Sequence, residues 1–217
     1  MSSAPTQRVN RLDRRKARTR AALIAAAQTI IAEGRTNVPI LEITQAADVG
    51  MGSFYNHFET KEQLFDAAID GVMDAYGDLL DQLTAAIEDP TEVFASSFRL
   101  TGRLHRKEPE LSRVLLNNVL RLLSAEDGLA PRARRDIAAA VAAGQFDVED
   151  VDVAVAMTAA ALLALGQLFL GDRDRDVEET TDRVTEDLLR MFGVPRARAR
   201  KVSRLPLPDL AAPRPAD

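Results

Sequence analysis

The sequence has no cysteine. That absence excludes a disulfide framework, thiol catalysis and thiolate metal sites, and it suits a reducing compartment, so a cytoplasmic protein is expected. Of the two histidines, His105 has no second histidine or cysteine partner, so neither a zinc site nor another metal or cofactor is expected. There is no phosphate-binding loop, no dinucleotide fingerprint, no H-E-x-x-H and no nucleophile elbow, which argues against an enzyme. The opening Met1-Ser2-Ser3-Ala4-Pro5 leads into basic, polar sequence without an apolar run, so no secretory leader is expected. No stretch of useful length alternates apolar and polar residues, and no internal repeat is visible.

What is present is ordinary for a soluble chain: 46% hydrophobic and 28% charged residues in a length of 217, enough for one large or two small domains. The net charge of −5 is unevenly spread. Residues 1–20 carry seven bases against Asp13, a net of +6, whereas residues 61–95 carry nine acids against Lys61, a net of −8. A basic arm beside a folded module suits phosphate binding. A solvated, disordered tail explains the same charges, and both readings stand at this point.

Helical periodicity accounts for most of the chain. Leu23, Ile24, Ala27, Ile30 and Ile31 share one face of a helix over 12–33, which Gly34 stops. Pro39 begins a short helix over 40–47, Asp48-Val49-Gly50 turns, and a second short helix covers 51–58. Thr60 caps a long helix over 61–88, with Gln63 at the capping-box position. Further helices are expected over 92–107, 109–125, 131–143, 150–171 and 176–192. The fold class is therefore all-α, about nine helices. From Pro195 onward, five prolines and six bases predict an extended or disordered tail.

Helix, tight turn, short helix is the geometry that seats a second helix in the DNA major groove. Over residues 40–58 the residues sharpen that reading. Val49-Gly50-Met51-Gly52-Ser53-Phe54-Tyr55-Asn56-His57-Phe58-x-x-Lys61-Glu62 resembles the TetR family of bacterial regulators, whose pattern runs roughly V-S-x-G-T-L-Y-x-H-F-x-x-K-E. Val49, Gly52, Tyr55, His57, Phe58, Lys61 and Glu62 match identically, and Gly34 and Glu42-Ile43 stand at the family's spacing. The resemblance covers about residues 18–65. It implies an N-terminal DNA-binding domain, a C-terminal helical domain for effector binding and dimerisation, and a homodimer on a near-palindromic operator. The expected organisation is a basic, disordered arm (1–17), a DNA-binding domain (18–60), an effector and dimer domain (61–194) and the tail (195–217).

Met51, Gly52, Ser53, Tyr55, Asn56, His57 and Lys61 are the candidate DNA contacts. Ser53, Tyr55, His57 and Lys61 carry donors for phosphate oxygens, which fix orientation without reading sequence. Packing is the competing explanation for Tyr55 and His57. The departures from the family pattern matter too. Gly50 removes a side-chain cap, Asp48 replaces a turn glycine, and Pro39 and Ile40 stand where hydroxyls face phosphate in relatives. Met51 cannot make the bidentate contacts that distinguish guanine or adenine. Base reading would then fall to Tyr55, Asn56 and apolar contact, with the basic arm offsetting the losses.

Residues 153–171 contain no charge and approach the length of a membrane span, about 20 residues. No basic cluster anchors either end, and a helix apolar all round can be buried by protein. The resemblance implies a dimer helix instead, with Leu162, Leu165, Phe169, Val184, Leu188 and Met191 at the interface. It also implies an effector cavity, for which Phe94, Phe98, Thr101, His105, Leu116, Asn117, Leu120 and Met157 are candidates; ordinary core is the alternative for each. Asp66, Asp70, Asp74 and Asp78 recur every four residues, either as a solvated face or as an acidic stripe that repels DNA or meets a basic arm. The function expected is that of a repressor released from its operator by a small molecule; an activator of the same fold, or a regulator that needs its ligand to bind, is the alternative.

Overall fold

The structure is a computed structural model, and it describes residues 11–35, 37–118 and 128–208. Among these residues there are ten helices and no strand: α1 (Arg11–Ala32), α2 (Ile40–Ala46), α3 (Met51–Phe54), α4 (Lys61–Thr84), α5 (Pro90–Lys107), α6 (Pro109–Asn117), α7 (Leu129–Ala142), α8 (Val151–Gly171), α9 (Val177–Met191) and α10 (Arg196–Val202). Two compact units divide at Ile69 and Asp70. The first comprises α1 to α3 and the first turns of α4; the second comprises the rest.

The first unit closes on Leu23, Ala27, Ile30 and Ile31 of α1, Ile43 of α2, Phe54 and Phe58, and Leu64, Phe65 and Ala68 of α4, all buried. Gly34 ends α1 at φ 72°, a left-handed conformation that glycine adopts without steric cost. Asp48 makes the turn after α2 at φ 52°, tolerable because aspartate enters this region more readily than most residues. Pro39 takes the cap position of α2 rather than its first turn, and its carbonyl accepts from Glu42 N at 3.0 Å. Thr60 Oγ1 caps α4 by accepting from Gln63 N at 3.2 Å, while Gln63 Oε1 reaches back to Glu59 N at 2.9 Å.

In the second unit, aspartates start the helices. Asp89 accepts from Thr91 N and Glu92 N at 2.9 and 3.3 Å, Asp150 from Asp152 N and Val153 N at 2.9 and 3.2 Å, and Asp176 from Glu179 N at 2.9 Å. Such caps stabilise a helix by about 1 kcal/mol each. The core gathers around the rings of Phe94, Phe146 and Phe192, 5.3–5.7 Å apart between centroids, with Phe94 edge-on to the other two, and continues through Leu165, Phe169, Leu188 and Leu189.

A buried ion cluster ties α5 to α9. Arg99 Nε and Nη2 donate to Asp182 at 2.7 and 3.0 Å, Arg103 Nη2 donates to the same carboxylate at 2.9 Å, and Arg99 Nη1 donates to the Leu205 carbonyl at 2.7 Å. The last bond corrects the expectation of an unstructured tail from Pro195. Ala199, Val202 and Ser203 are buried, and Arg198 and Arg204 pair with Asp89 and Glu186. Proline count misled here: Pro195 begins a helix as its cap, and the next proline comes only at Pro206. This is the helix beyond the expected nine.

Three further expectations change. Residues 12–17, which the periodicity places in a helix and the domain division in a disordered arm, are helical, and α1 starts at Arg11 because the arginine- and alanine-rich sequence continues the helix N-terminally. Residues 1–10 of that arm, residues 119–127 and the tail beyond Pro208 lie outside the described residues. The second short helix is regular only over Met51–Phe54; Phe54 O then accepts from both His57 N and Phe58 N at 2.9 and 3.0 Å, closing a turn. The long helix ends at Thr84, not 88, with Thr84 Oγ1 turned back onto Leu80 O at 2.8 Å.

Candidate functional site

In the first unit, α3 and its following turn hold the candidate DNA contacts together. Phe54 and Phe58 anchor this segment: both are buried, their ring centroids lie 6.1 Å apart, and each burial is worth about 1.5–3 kcal/mol. With those rings inward, Met51, Gly52, Tyr55 and Asn56 face outward, Tyr55 being 59% exposed. Ser53 and His57 are half-buried. Gly50 caps α3 without a side-chain hydrogen bond, as its lack of a hydroxyl requires. Lys61 is not a free cation: Nζ donates to the Val38 carbonyl at 3.2 Å, fixing the loop before α2 and leaving two donors for other partners. Arg14, Arg15, Lys16 and Arg18 are exposed along α1, and the Arg20 guanidinium lies over the Phe58 ring at 5.1 Å.

The second unit contains two adjoining cavities. One, of about 110 Å³, is lined by Asp70, Met73, Thr101, His105, Leu115, Leu129, Ala130, Ala133, Val155, Thr158, Ala159, Leu162 and Leu163. The other, of about 50 Å³, has Asp81, Arg132, Asp136, Phe94, Ser97 and Phe98 in its wall. Thr101, Leu129, Ala133, Thr158 and Leu162 belong to both.

A charged cluster closes the smaller cavity. Arg132 reaches Asp74 at 2.9 Å, Asp81 at 3.0 Å, the Gly128 carbonyl at 2.8 Å, and also Asp78. Arg135 joins Asp81 to Asp136, at 2.7 Å to each. Burial pushes Asp81 up, but Arg135 and Arg132 outweigh it and hold this carboxyl below its usual value. For Asp136, 7% exposed, burial wins over Arg135 and raises it. Gly77 makes room for the clamp: a Cβ there would lie 2.6 Å from Arg132 Cζ and Nε. Asp74 and Asp78, two members of the acidic stripe, are thus partners of an α7 arginine while remaining largely exposed.

The larger cavity has a different polar wall. His105 is 6% exposed; its Nδ1 lies 2.7 Å from Ser112 Oγ, and its Nε2 is buried without a hydrogen-bond partner. Burial holds the imidazole below the usual histidine range, and the Leu162 carbonyl pulls the other way without closing a hydrogen bond to Nε2. Gly166 backs the ring, since a Cβ there would lie 2.9 Å from His105 Cε1 and 3.0 Å from Leu116 Cδ2. Burial pushes the Tyr76 hydroxyl up to about 12, with Thr101 acting in the opposite direction.

Of the effector candidates, Thr101, His105, Phe94 and Phe98 therefore line cavities. Leu116 stands behind His105. Asn117 is exposed while Asn118 Nδ2 bonds Val114 O at 2.8 Å; Met157 is 42% exposed on the outside of α8; and Leu120 lies outside the described residues. Sequence reading missed Asp81, Arg132 and Asp136. The signal was present: Asp136 stands in the run Ala133, Asp136, Ile137, Ala140, where the helical period demands a core residue. Of the dimer candidates, Leu165, Phe169 and Leu188 are covered by their own chain, because the core takes the inner face of α8 and α9. Leu162 lines both cavities, Val184 is half-buried against the core, and Met191 is 45% exposed. By length and composition α8 could cross a membrane. Its outer residues Val153, Ala156, Met157, Ala160, Ala164 and Leu168 form an exposed apolar stripe at helical spacing.

Residues 22–68 match the tetR family of bacterial regulatory proteins, and residues 89–204 match the tetracyclin repressor-like C-terminal domain. No curated protein matches the chain. Among solved structures, RolR in complex with resorcinol is 35% identical, covering 91% of this chain and 99% of its own, with a TM-score of 0.70. RolR without ligand is 33% identical, covering 88% and 100%, with a TM-score of 0.68. FadR from Bacillus subtilis with stearoyl-CoA, 17% identical over 78% of this chain and 97% of its own at a TM-score of 0.62, shares the fold. The outward face of α3, the helical unit with its cavities and these matches agree: the chain belongs to the TetR family of bacterial DNA-binding transcriptional regulators.

Proposed function

We propose that this regulator is a cytoplasmic homodimeric repressor, released from a near-palindromic operator by a small phenol-like effector held in the two adjoining cavities. No enzymatic step is part of this reading. Tyr55, Ser53 and His57 would contact phosphates, with Met51, Gly52 and Asn56 at the base edges and Lys61 fixing the segment while offering its remaining donors. The exposed apolar stripe on α8, with Met191 also exposed on α9, suits a second copy of the chain.

The observation that carries the effector reading is the charged wall of the smaller cavity. Arg132, Asp81 and Asp136 are charged groups in a wall otherwise lined by apolar side chains and the hydroxyls of Ser97, Thr101 and Thr158, the composition of a ligand site. Hydroxyls of a phenol can donate to Asp136 or Asp81 and accept from Arg132. The larger cavity, about 110 Å³, is on the scale of the roughly 150 Å³ apolar cavity that accepts benzene in another protein, so one aromatic ring is the fitting size. The related RolR carries resorcinol, a dihydroxybenzene.

The test begins by selecting bound DNA fragments genome-wide, then repeats the binding with resorcinol added. Release from a discrete palindrome supports the reading. Binding that strengthens with resorcinol would make the chain a ligand-dependent binder, and DNA binding indifferent to phenols would overturn the effector assignment.

A further inference from the structure

We infer that the effector is polar along one edge only: its hydroxyls sit side by side against the arginine clamp, and the opposite edge of the ring is apolar and takes a methyl in preference to a further hydroxyl. The inference rests on the proposed phenol-like effector and fixes where on the ring its polar groups lie.

The two cavities differ in what their walls have left to offer. In the smaller, Arg132 commits four of its five N–H groups to Asp81, Asp74, the Gly128 carbonyl and Asp78, which leaves one on Nη2. Both bonds from Arg135 to Asp136 end on Oδ1, so Oδ2 keeps its acceptor capacity. One hydroxyl can donate to that oxygen while its neighbour accepts from Arg132. The volume, about 50 Å³, suffices for two such groups, since a water-sized group needs roughly 10–15 Å³.

In the larger cavity the polar side chains are already engaged. The Thr101 and Thr158 hydroxyls donate to the Ser97 and Ala154 carbonyls one turn back, each at 2.8 Å. His105 holds Ser112 Oγ through Nδ1 at 2.7 Å, and its Nε2 is fully covered. Asp70, half-buried, has a partner of its own. The rest of the wall is apolar, with Met73, Leu115, Val155, Ala159 and Leu163 belonging to this cavity alone. Thr101, Leu129, Ala133, Thr158 and Leu162 line both spaces, so a ring set among them has one edge on the charged wall and the other among these apolar side chains. A hydroxyl on that far edge loses its hydration for little return, whereas a methyl gains from burial.

The experiment is isothermal titration of the full-length protein with resorcinol, hydroquinone, 5-methylresorcinol and 1,3,5-trihydroxybenzene. Resorcinol and hydroquinone contain the same atoms, and only in resorcinol do both hydroxyls share an edge. Hydroquinone should bind about tenfold more weakly than resorcinol. On the far edge of resorcinol, an added methyl should raise affinity about fourfold, and an added hydroxyl should lower it about tenfold. In Leu163→Gln, at a half-buried position, an amide joins the far wall, and the gap between the methyl and hydroxyl compounds should shrink at least about fivefold. Equal binding of resorcinol and hydroquinone overturns the inference while leaving a phenol-like effector intact. So does tighter binding of trihydroxybenzene than of 5-methylresorcinol, the result expected if Asp70 accepts the third hydroxyl. An unchanged gap in Leu163→Gln overturns it as well, because the far edge then lies elsewhere. Failure of all four compounds to bind the wild type overturns the effector reading itself.

Discussion

Asp182→Ala should be among the most damaging single substitutions in the second unit. Asp182 accepts three N–H bonds, from Arg99 at 2.7 and 3.0 Å and from Arg103 at 2.9 Å. The Arg99 side chain is 4% exposed, so removing the carboxylate leaves a guanidinium in the core with only the Leu205 carbonyl. Breaking a buried pair on one side costs about 3–5 kcal/mol. Arg103, 19% exposed and 3.8 Å from Glu178, retains part of its solvation, which places the cost near the low end, about 3 kcal/mol. For a chain of this length that corresponds to a fall in Tm of about 6–12 °C. Arg99→Met should cost less than about 2 kcal/mol, because the buried charge goes and Asp182 keeps Arg103. Removing both charges in R99M/D182L should recover most of the loss. The assay is thermal unfolding followed by circular dichroism at one fixed protein concentration, since dimerisation makes Tm concentration-dependent. The reasoning fails if Asp182→Ala melts within a degree or two of Arg99→Met, which would mean that the stranded arginine finds water.

Gly77→Ala should displace Arg132, whose atoms lie 2.6 Å from the new Cβ; a helix gain of about 0.5–1 kcal/mol offsets partly exposed ion pairs of about the same size, so Tm should hold while resorcinol affinity drops at least fivefold. An unchanged titration would remove Arg132 from the effector wall. Tyr55→Phe, at a 59% exposed position, should leave stability within about 0.5 kcal/mol and weaken operator binding roughly five- to tenfold in a mobility shift, nearly equally on operators of altered sequence; a loss confined to one base pair would make Tyr55 a base reader. Replacing Arg14, Arg15, Lys16 and Arg18 by glutamine should flatten the salt dependence of DNA binding by about 0.9 for each phosphate no longer neutralised, and an unaltered slope would dismiss the basic end of α1 as a DNA-binding surface. His105 has a lowered folded value, so below its ordinary 6.5 the unfolded chain takes up a proton that the folded chain refuses. Stability should therefore fall as pH drops through that window, and His105→Gln should flatten the Tm profile there; identical profiles would show the ring to be solvated.

The DNA-binding unit was legible because its information is local. Gly34, the turn at Asp48 and the inward rings of Phe54 and Phe58 are set by residues a few positions apart, and period and turn chemistry predict them directly. The effector wall was not legible in the same way. Asp81 and Arg132 stand 51 residues apart, and only the packing of α7 against α4 brings a guanidinium over Asp74, Asp78 and Asp81. Read on its own helix, the aspartate stripe is a set of repelling neighbours, each pair costing a few tenths of a kcal/mol. Three of the dimer candidates, Leu165, Phe169 and Leu188, fall in the chain's own core for a related reason. An all-apolar helix shows no preferred face by composition, so Leu165 and Phe169 could not be told from Val153 and Leu168 until the core had claimed one side.

That one arginine satisfies three carboxylates on α4 also bounds what it can do as a switch. Its partners Asp74, Asp78 and Asp81 are 47%, 62% and 34% exposed, so each pair contributes about 1 kcal/mol at most. Moving a regulator from one per cent to ninety-nine per cent released requires about 5.5 kcal/mol of differential binding. An effector that merely captured Arg132 from α4 would fall short of that figure. The remainder has to come from burying the ring, a term that exists only if the cavities close around the ligand in the released state. A ligand of the right charge pattern but without the ring should therefore occupy the arginine wall without releasing DNA. Glycerol, which offers hydroxyls and no aromatic surface, is the simplest probe: release by glycerol at concentrations that leave unrelated DNA complexes intact would show that the polar wall alone drives the transition.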